Sequence, residues 1–224
     1  MRQEAPYFAK FVAGKMKGDT LQFLAINTAA IDAYVKNFRP VFEGLGKKIG
    51  IIEKVDAKAL DFKDSLTKIK ALNPSNIYVL ATPKQLGLIL KQGSELGIKA
   101  QYFGIGSEGQ ETIDIAGKAA EGYLYPYSYD GTQGSERIRG FYDKYVARFD
   151  REPDALAANA YDAAYLLSDC FEKVGDNTDA VKQCLYLVKD YDGASGKFSI
   201  DENGDAVKDI FIKTVEDGKF VRYQ

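Results

Sequence analysis

The sequence predicts an α/β protein built on a doubly wound parallel sheet with helices over both faces. Three observations carry this. Apolar runs of strand length alternate with amphipathic stretches of helical period through the first 127 residues. Pro and Gly punctuate the junctions between them. After about residue 130 the rhythm changes to helices with no strand between them, which marks a second unit.

Residues 4–17 place Tyr7, Phe8, Phe11, Val12 and Met16 on one helical face. The run "LQFLAIN" (21–27) reads as a buried strand. A helix over 29–45 brings Ile31, Tyr34, Val35, Phe38, Phe42 and Leu45 to one side, with Pro40 expected to kink it. "KIGIIEKV" (48–55) is the next strand. In "DFKDSLTKIKAL" (61–72) Asp61 is positioned to cap a helix whose inner face holds Phe62, Leu66 and Ile69. The cycle repeats with strand 76–81, a helix over 83–97 with Pro83 in its first turn and Gly97 past its end, and strand 99–105. A short helix over 110–117 and strand 121–127 complete the first unit, whose crossovers should be right-handed.

The Tyr-, Gly- and Ser-rich segment 123–135 reads as a crossing between two units. Tyr123, Tyr125, Tyr127 and Tyr129 alternate along it, so every second side chain shares a face. Helices follow over 132–149, 154–174 and 177–188. The second sets Leu156, Ala160, Ala163, Leu167, Phe171 and Val174 at helical spacing. The remainder reads as a hairpin turned at Asn203-Gly204 and a terminal strand pair.

Composition narrows the chemistry. The 30 Lys and Arg against 32 Asp and Glu give a net charge of −2, with the signs interleaved, which argues against a nucleic-acid or anionic-membrane partner. No apolar run reaches the length of a membrane helix, and the first residues do not form a signal-peptide block, so an export signal would have to lie upstream. Histidine is absent, which removes Ser-His-Asp and Cys-His nucleophiles and HExxH zinc sites. Two cysteines, Cys170 and Cys184, cannot make a four-thiolate site. They stand 14 positions apart across a predicted turn, and either form a disulfide or serve as small apolar residues on helix faces.

Two motifs invite a cofactor or metal reading. Gly104, Gly106 and Gly109 in "YFGIGSEG" satisfy G-x-G-x-x-G, the dinucleotide fingerprint. The motif follows the fourth predicted strand rather than the first, and the helix behind it is short. A loop at a strand end that touches ligand fits better than NAD binding, and a plain loop is the remaining alternative. "SIDENGDAVKD" has the acids of a calcium loop, but its glycine and its acids stand at the wrong positions, so a hairpin turn is expected. No cofactor is expected.

Five segments in order then carry a family resemblance: "DFKDSLTKIKALNPSNIYVL", "LKQGSELGIKAQYFGIG", "IAGKAAEGYLY", "AANAYDAAYLL" and "YDGASGKFSIDENGDAVKDIFIKTVEDGKFV". Together they resemble the type I periplasmic binding proteins of branched-chain amino-acid ABC transporters, the Leu/Ile/Val-binding class. The resemblance implies a two-lobed clamshell with flavodoxin-like lobes. A small molecule would lie in the cleft at the carboxyl ends of the strands, and lobe closure would signal to a membrane permease. It implies no catalytic activity and a periplasmic or extracellular location. It also implies that this chain lacks most of the first lobe. Residues 1–122 with 188–224 would form the second lobe, and 123–187 the hinge crossing and helices that pack on the first. The helices of 132–174 would then need a cover, either the missing lobe or a dimer partner.

By the same resemblance, ligand-binding positions fall on Asn27 and Thr28 after the first strand, Thr82 after the third, Ser107 and Glu108 in the glycine loop, and Tyr125 or Tyr127 at the hinge. The aromatic residue that amino-acid-binding members carry after the first strand of this lobe is replaced by Ile31-Asp32, and Ala81-Thr82-Pro83 replaces an aromatic loop. Glu108 stands one or two positions from the place of their ligand carboxylate. These departures argue against an α-amino acid and leave a small organic acid, an aromatic compound or an amide as the ligand classes. A receptor sensor domain shares the fold and is the alternative to a transport component.

Overall fold

Residues 21–26 are all buried, and β1 (Thr20–Ile26) is the last strand but one of a seven-stranded sheet. A computed structural model of the chain describes residues 2–106 and 108–224. In chain order β2 (Lys48–Val55), β3 (Asn76–Leu80), β4 (Gln101–Gly104) and β5 (Leu124–Tyr127) follow, and β9 (Phe211–Glu216) and β10 (Lys219–Arg222) return at the end. The spatial order is β10-β9-β5-β4-β3-β1-β2. The five strands from β1 to β5 run parallel, while β9 is antiparallel to both β5 and β10.

The helices α1 (Glu4–Lys15) and α2 (Ala29–Gly44) pack on each other. The helices α3 (Lys63–Ala71), α4 (Pro83–Glu95) and α5 (Gln110–Ala116) form a second consecutive set, followed by a 3-10 turn at Gly117–Ala120. Reversal of strand order at β1 sends right-handed crossovers to opposite faces of the sheet, which accounts for the two sets.

The core of this unit is aromatic. Phe23 stacks on Tyr78 with centroids 4.9 Å apart, and Phe8, Phe38 and Phe103 complete a buried cluster with Tyr34. The two buried phenols share a hydrogen bond, Tyr34 Oη to Tyr78 Oη at 2.7 Å, so neither hydroxyl is stranded in the apolar cluster.

The chain divides into two compact units, Met1–Tyr127 with Phe211–Gln224, and Ser128–Ile210. The second holds α6 (Glu136–Phe149), α7 (Ala155–Val174), α8 (Thr178–Tyr186) and a three-stranded antiparallel sheet, β6 (Tyr191–Gly193), β7 (Gly196–Ile200) and β8 (Ala206–Lys208). Cys170 and Cys184 form a disulfide between α7 and α8. The turn between β7 and β8 is the expected hairpin, with Asp201 Oδ1 accepting the Asn203 and Asp205 amides.

Several expectations need correction. The strands of 191–208 belong with the helices of the second unit, because β6 to β8 pair only among themselves, so only 211–224 returns to the first. The helix α7 needs no such correction: Leu156, Leu167 and Phe171 are exposed, as expected of a face that needs a cover, while Ala158, Asp162, Leu166 and Cys170 are buried. Tyr7 and Leu45 are exposed, since small residues such as Ala5 and Ala9 complete the inner face of α1 and α2 ends before Leu45. Asp61 does not cap α3; its carboxylate turns onto the Lys63 amide while Phe62 occupies the cap position.

Candidate functional site

Parallel strands and the helices that follow them place their connecting loops at one end of the sheet. There the carboxyl ends of β1, β3, β4 and β5 carry the candidate residues Asn27, Thr82, Glu108 and Tyr127. Asn27 is exposed and its amide donates to Val55 O at 2.8 Å, tying the ends of β1 and β2. Thr28 is the N-cap of α2, with Oγ1 accepting the Ile31 amide at 3.3 Å. Thr82 caps α4 and its hydroxyl donates to Gln85 Oε1 at 2.9 Å. Gln85, itself buried, donates from Nε2 to Ala57 O and Ala59 O and so fixes the loop after β2. Both threonines are thus committed to helix starts, which holds the loops in place. Ser107 lies outside the described residues.

The glycine loop has a steric explanation. A Cβ at Gly104 would lie 2.2 Å from Tyr123 Oη and 2.4 Å from Val79 O. At Gly106 it would meet Pro126 O at 2.7 Å, and at Gly109 the Pro83 ring at 2.9 Å. Each glycine admits a neighbouring strand, ring or helix start, and the helix that follows spans seven residues. Packing against protein thus accounts for all three glycines.

Past that loop, Glu108 sits in a polar cluster assembled from three strands' worth of chain. Tyr125 Oη donates to Glu108 Oε1 at 2.6 Å, and Lys213 Nζ forms an ion pair with the same oxygen. Antiparallel pairing sets Lys213 directly opposite Tyr125, so both side chains leave the sheet on one side. Lys213 also lies over the Tyr127 ring, 5.1 Å from its centroid. Glu108 and Lys213 side chains retain 17% and 12% exposure, so the pair is sheltered without being sealed off. Burial, and then the Glu108 charge, push the Tyr125 phenol far above its ordinary range, which keeps it a hydrogen-bond donor. Tyr123 Oη donates to Ile105 O at 2.9 Å and pins the start of the glycine loop.

The structure therefore joins Glu108, Tyr125 and Tyr127 in one cluster and sets Asn27, Thr28 and Thr82 on neighbouring loops of the same end. Lys213 escaped the sequence reading. It lies 105 positions from Glu108, in a strand whose alternation reads as ordinary surface, and only the β5–β9 register brings it in. Among the described residues no group of His, Cys, Asp and Glu could hold a metal ion, and no helix is long and apolar enough to cross a membrane.

The chain is 24% identical over 206 residues to the leucine-, isoleucine-, valine-, threonine- and alanine-binding protein of Pseudomonas aeruginosa, matching 90% of this chain and 54% of that one. It thus spans about half the length of the curated relatives it matches. The crystal structure of the leucine-binding protein LivK of Thermotoga maritima superposes with a TM-score of 0.91 at 25% identity, over 100% of this chain and 65% of that one. A solute-binding protein of an ABC transporter from R. palustris, in complex with benzoate, shares the fold with a TM-score of 0.86 at 16% identity, over 99% of this chain and 62% of that one. The family profile described as periplasmic binding protein matches residues 2–219, and by that match over nearly its whole length the chain belongs to the periplasmic binding protein family.

Proposed function

We propose that this chain supplies a ligand-reading surface of an extracytoplasmic solute-binding component of an ABC transporter of the branched-chain amino-acid type. The observation that carries the reading is the convergence of Asn27, Thr82, Glu108 and Tyr127 at the carboxyl end of one parallel sheet, in a chain of this family. The chemistry of that surface is binding. Its hydroxyls cap helices and its carboxylate is ion-paired, which suits recognition of a small molecule and offers no activated nucleophile. A ligand between this surface and another lobe, with closure read by a permease, is the working mechanism.

The test is a ligand screen of amino acids, organic acids and aromatic compounds, read by amide NMR shifts and by thermal midpoint. Binding should move the amides of Asn27, Gly106, Glu108 and Gly109 and raise the midpoint. Glu108→Ala should weaken it. A ligand that stabilises the protein and its Glu108→Ala variant equally, or that shifts amides only at the opposite end of the sheet, would sink the site assignment.

A further inference from the structure

The state of Glu108 says more about the ligand than its position does. Its carboxylate already has two donors, the Tyr125 hydroxyl and the Lys213 ammonium. A sheltered carboxylate must be paired, and this one is paired within the protein. Both donors fall on Oε1, so an incoming ammonium group would either displace Lys213 or share Glu108 with it through the second oxygen. Either course sets two cations against one carboxylate where water screens them poorly.

The neighbouring strand reinforces the point. Arg222 on β10 stands in register with Lys213 on β9, and its guanidinium lies 4.1 Å over the Phe211 ring. Tyr127 and Phe211 are themselves register partners. Lys213 and Arg222, register partners on β9 and β10, thus each lie on an aromatic ring, and Lys213 also holds Glu108. An ammonium group carries three donors, so Lys213 can hold Glu108 and donate to a second anionic oxygen. The aromatic rings beside it offer an apolar wall for the rest of such a ligand.

We propose that Lys213 is a specificity residue of this surface: by holding Glu108 it selects small organic carboxylates that lack an α-ammonium group. The proposal rests on the ligand-binding reading above and adds the chemical class of the ligand.

Matched probes that differ by the ammonium group test it: 4-methylpentanoate against leucine, and 3-phenylpropanoate against phenylalanine. Each is titrated by NMR into the chain, into Lys213→Met, and into the double variant Lys213→Met with Glu108→Gln. The carboxylates should bind the unaltered chain at least about tenfold more tightly than their amino acids. Lys213→Met, which frees Glu108, should reverse that order. The double variant removes both charges while Tyr125 keeps an acceptor, and should lose the preference; it carries the comparison if the single variant does not fold. Amino acids binding more tightly to the unaltered chain, or an order unchanged by either variant, would overturn the assignment of Lys213. If none of the four probes moves the amides of Gly106, Glu108 and Gly109 in any form, the ligand-binding reading fails and this one with it.

Discussion

The carboxylate of Asp162 receives the backbone amide of Ser195 at 2.7 Å, and its second oxygen takes the amide of Ala194 at the same distance. Asp162 is buried on α7, and the two amides belong to the turn between β6 and β7. One side chain thus joins the helices of the second unit to its small sheet. Gly193 makes the approach possible, since a Cβ there would lie 2.4 Å from Asp162 Oδ2.

Asp162→Ala should therefore strand two buried amides and cost about 3 kcal/mol. Asp162→Asn, which keeps an acceptor, should cost roughly half of that. Urea unfolding followed by a probe in α7 checks both. A loss below 1 kcal/mol for the alanine variant would mean that water replaces the carboxylate with ease.

A substitution in the glycine loop separates packing from cofactor binding. Gly104→Ala would drive a methyl group into Tyr123 Oη and the Val79 carbonyl, and the carbonyl is backbone of the adjacent strand. We expect a loss of about 2–3 kcal/mol in thermal or urea stability. Gly14→Ala is the control: nothing lies within 4 Å of that position inside α1, so it should gain about 0.5–1 kcal/mol. Unchanged stability in the first variant would put the steric account of the glycines in error.

The disulfide between Cys170 and Cys184 closes a loop with a sequence separation of 14. On chain-entropy grounds it should contribute about 3 kcal/mol to the second unit. Reduction should lower the unfolding midpoint of that unit and speed amide exchange in α7 and α8. The first unit, followed by Tyr78 or Phe103, should not respond.

Burial pulls the Lys208 ammonium down from 10.5 to about 8, with Asp162 opposing the shift. Its amine donates to Ser195 Oγ at 2.5 Å and lies over the Phe198 ring. The folded value is below the unfolded one, so between about pH 8 and pH 10 the unfolded chain binds more protons and stability rises with pH. Unfolding midpoints measured from pH 7 to pH 9.5 should climb, and Lys208→Met should flatten the slope. The range stops below pH 10 because buried tyrosines such as Tyr125, whose values are raised, begin to favour the unfolded state there. A slope that persists in the variant would assign the effect to another group.

Strand positions were legible because short apolar runs such as Asn76–Leu80 have one reading, and all five of those residues are buried. Helix faces were legible where large residues did the packing, as with Ile31, Tyr34, Phe38 and Phe42. On α7 the large apolar stripe is exposed, as a face awaiting a cover would be, and what periodicity missed is the inward face of Ala158, Asp162, Leu166 and Cys170. Periodicity ranks residues by hydrophobicity and cannot see a buried carboxylate that is satisfied by backbone amides 32 and 33 positions away. The candidate site divided the same way. Glu108, Tyr125 and Tyr127 came from the family resemblance and the strand-end glycine loop, while Lys213 depended on a register that no local pattern encodes.

The pairing of Tyr127 with Phe211 has a consequence for biosynthesis. The main chain leaves the large sheet at one of these residues and comes back at the other, so everything between them is an insertion between hydrogen-bonded neighbours. On the ribosome that insertion is contiguous and complete before β9 and β10 have been made. The large sheet must wait for those two strands with one flank of β5 unpaired. Completion of the large sheet thus follows synthesis of the whole insertion, and until then the open flank of β5 is where a chaperone or edge-binding peptide would pair.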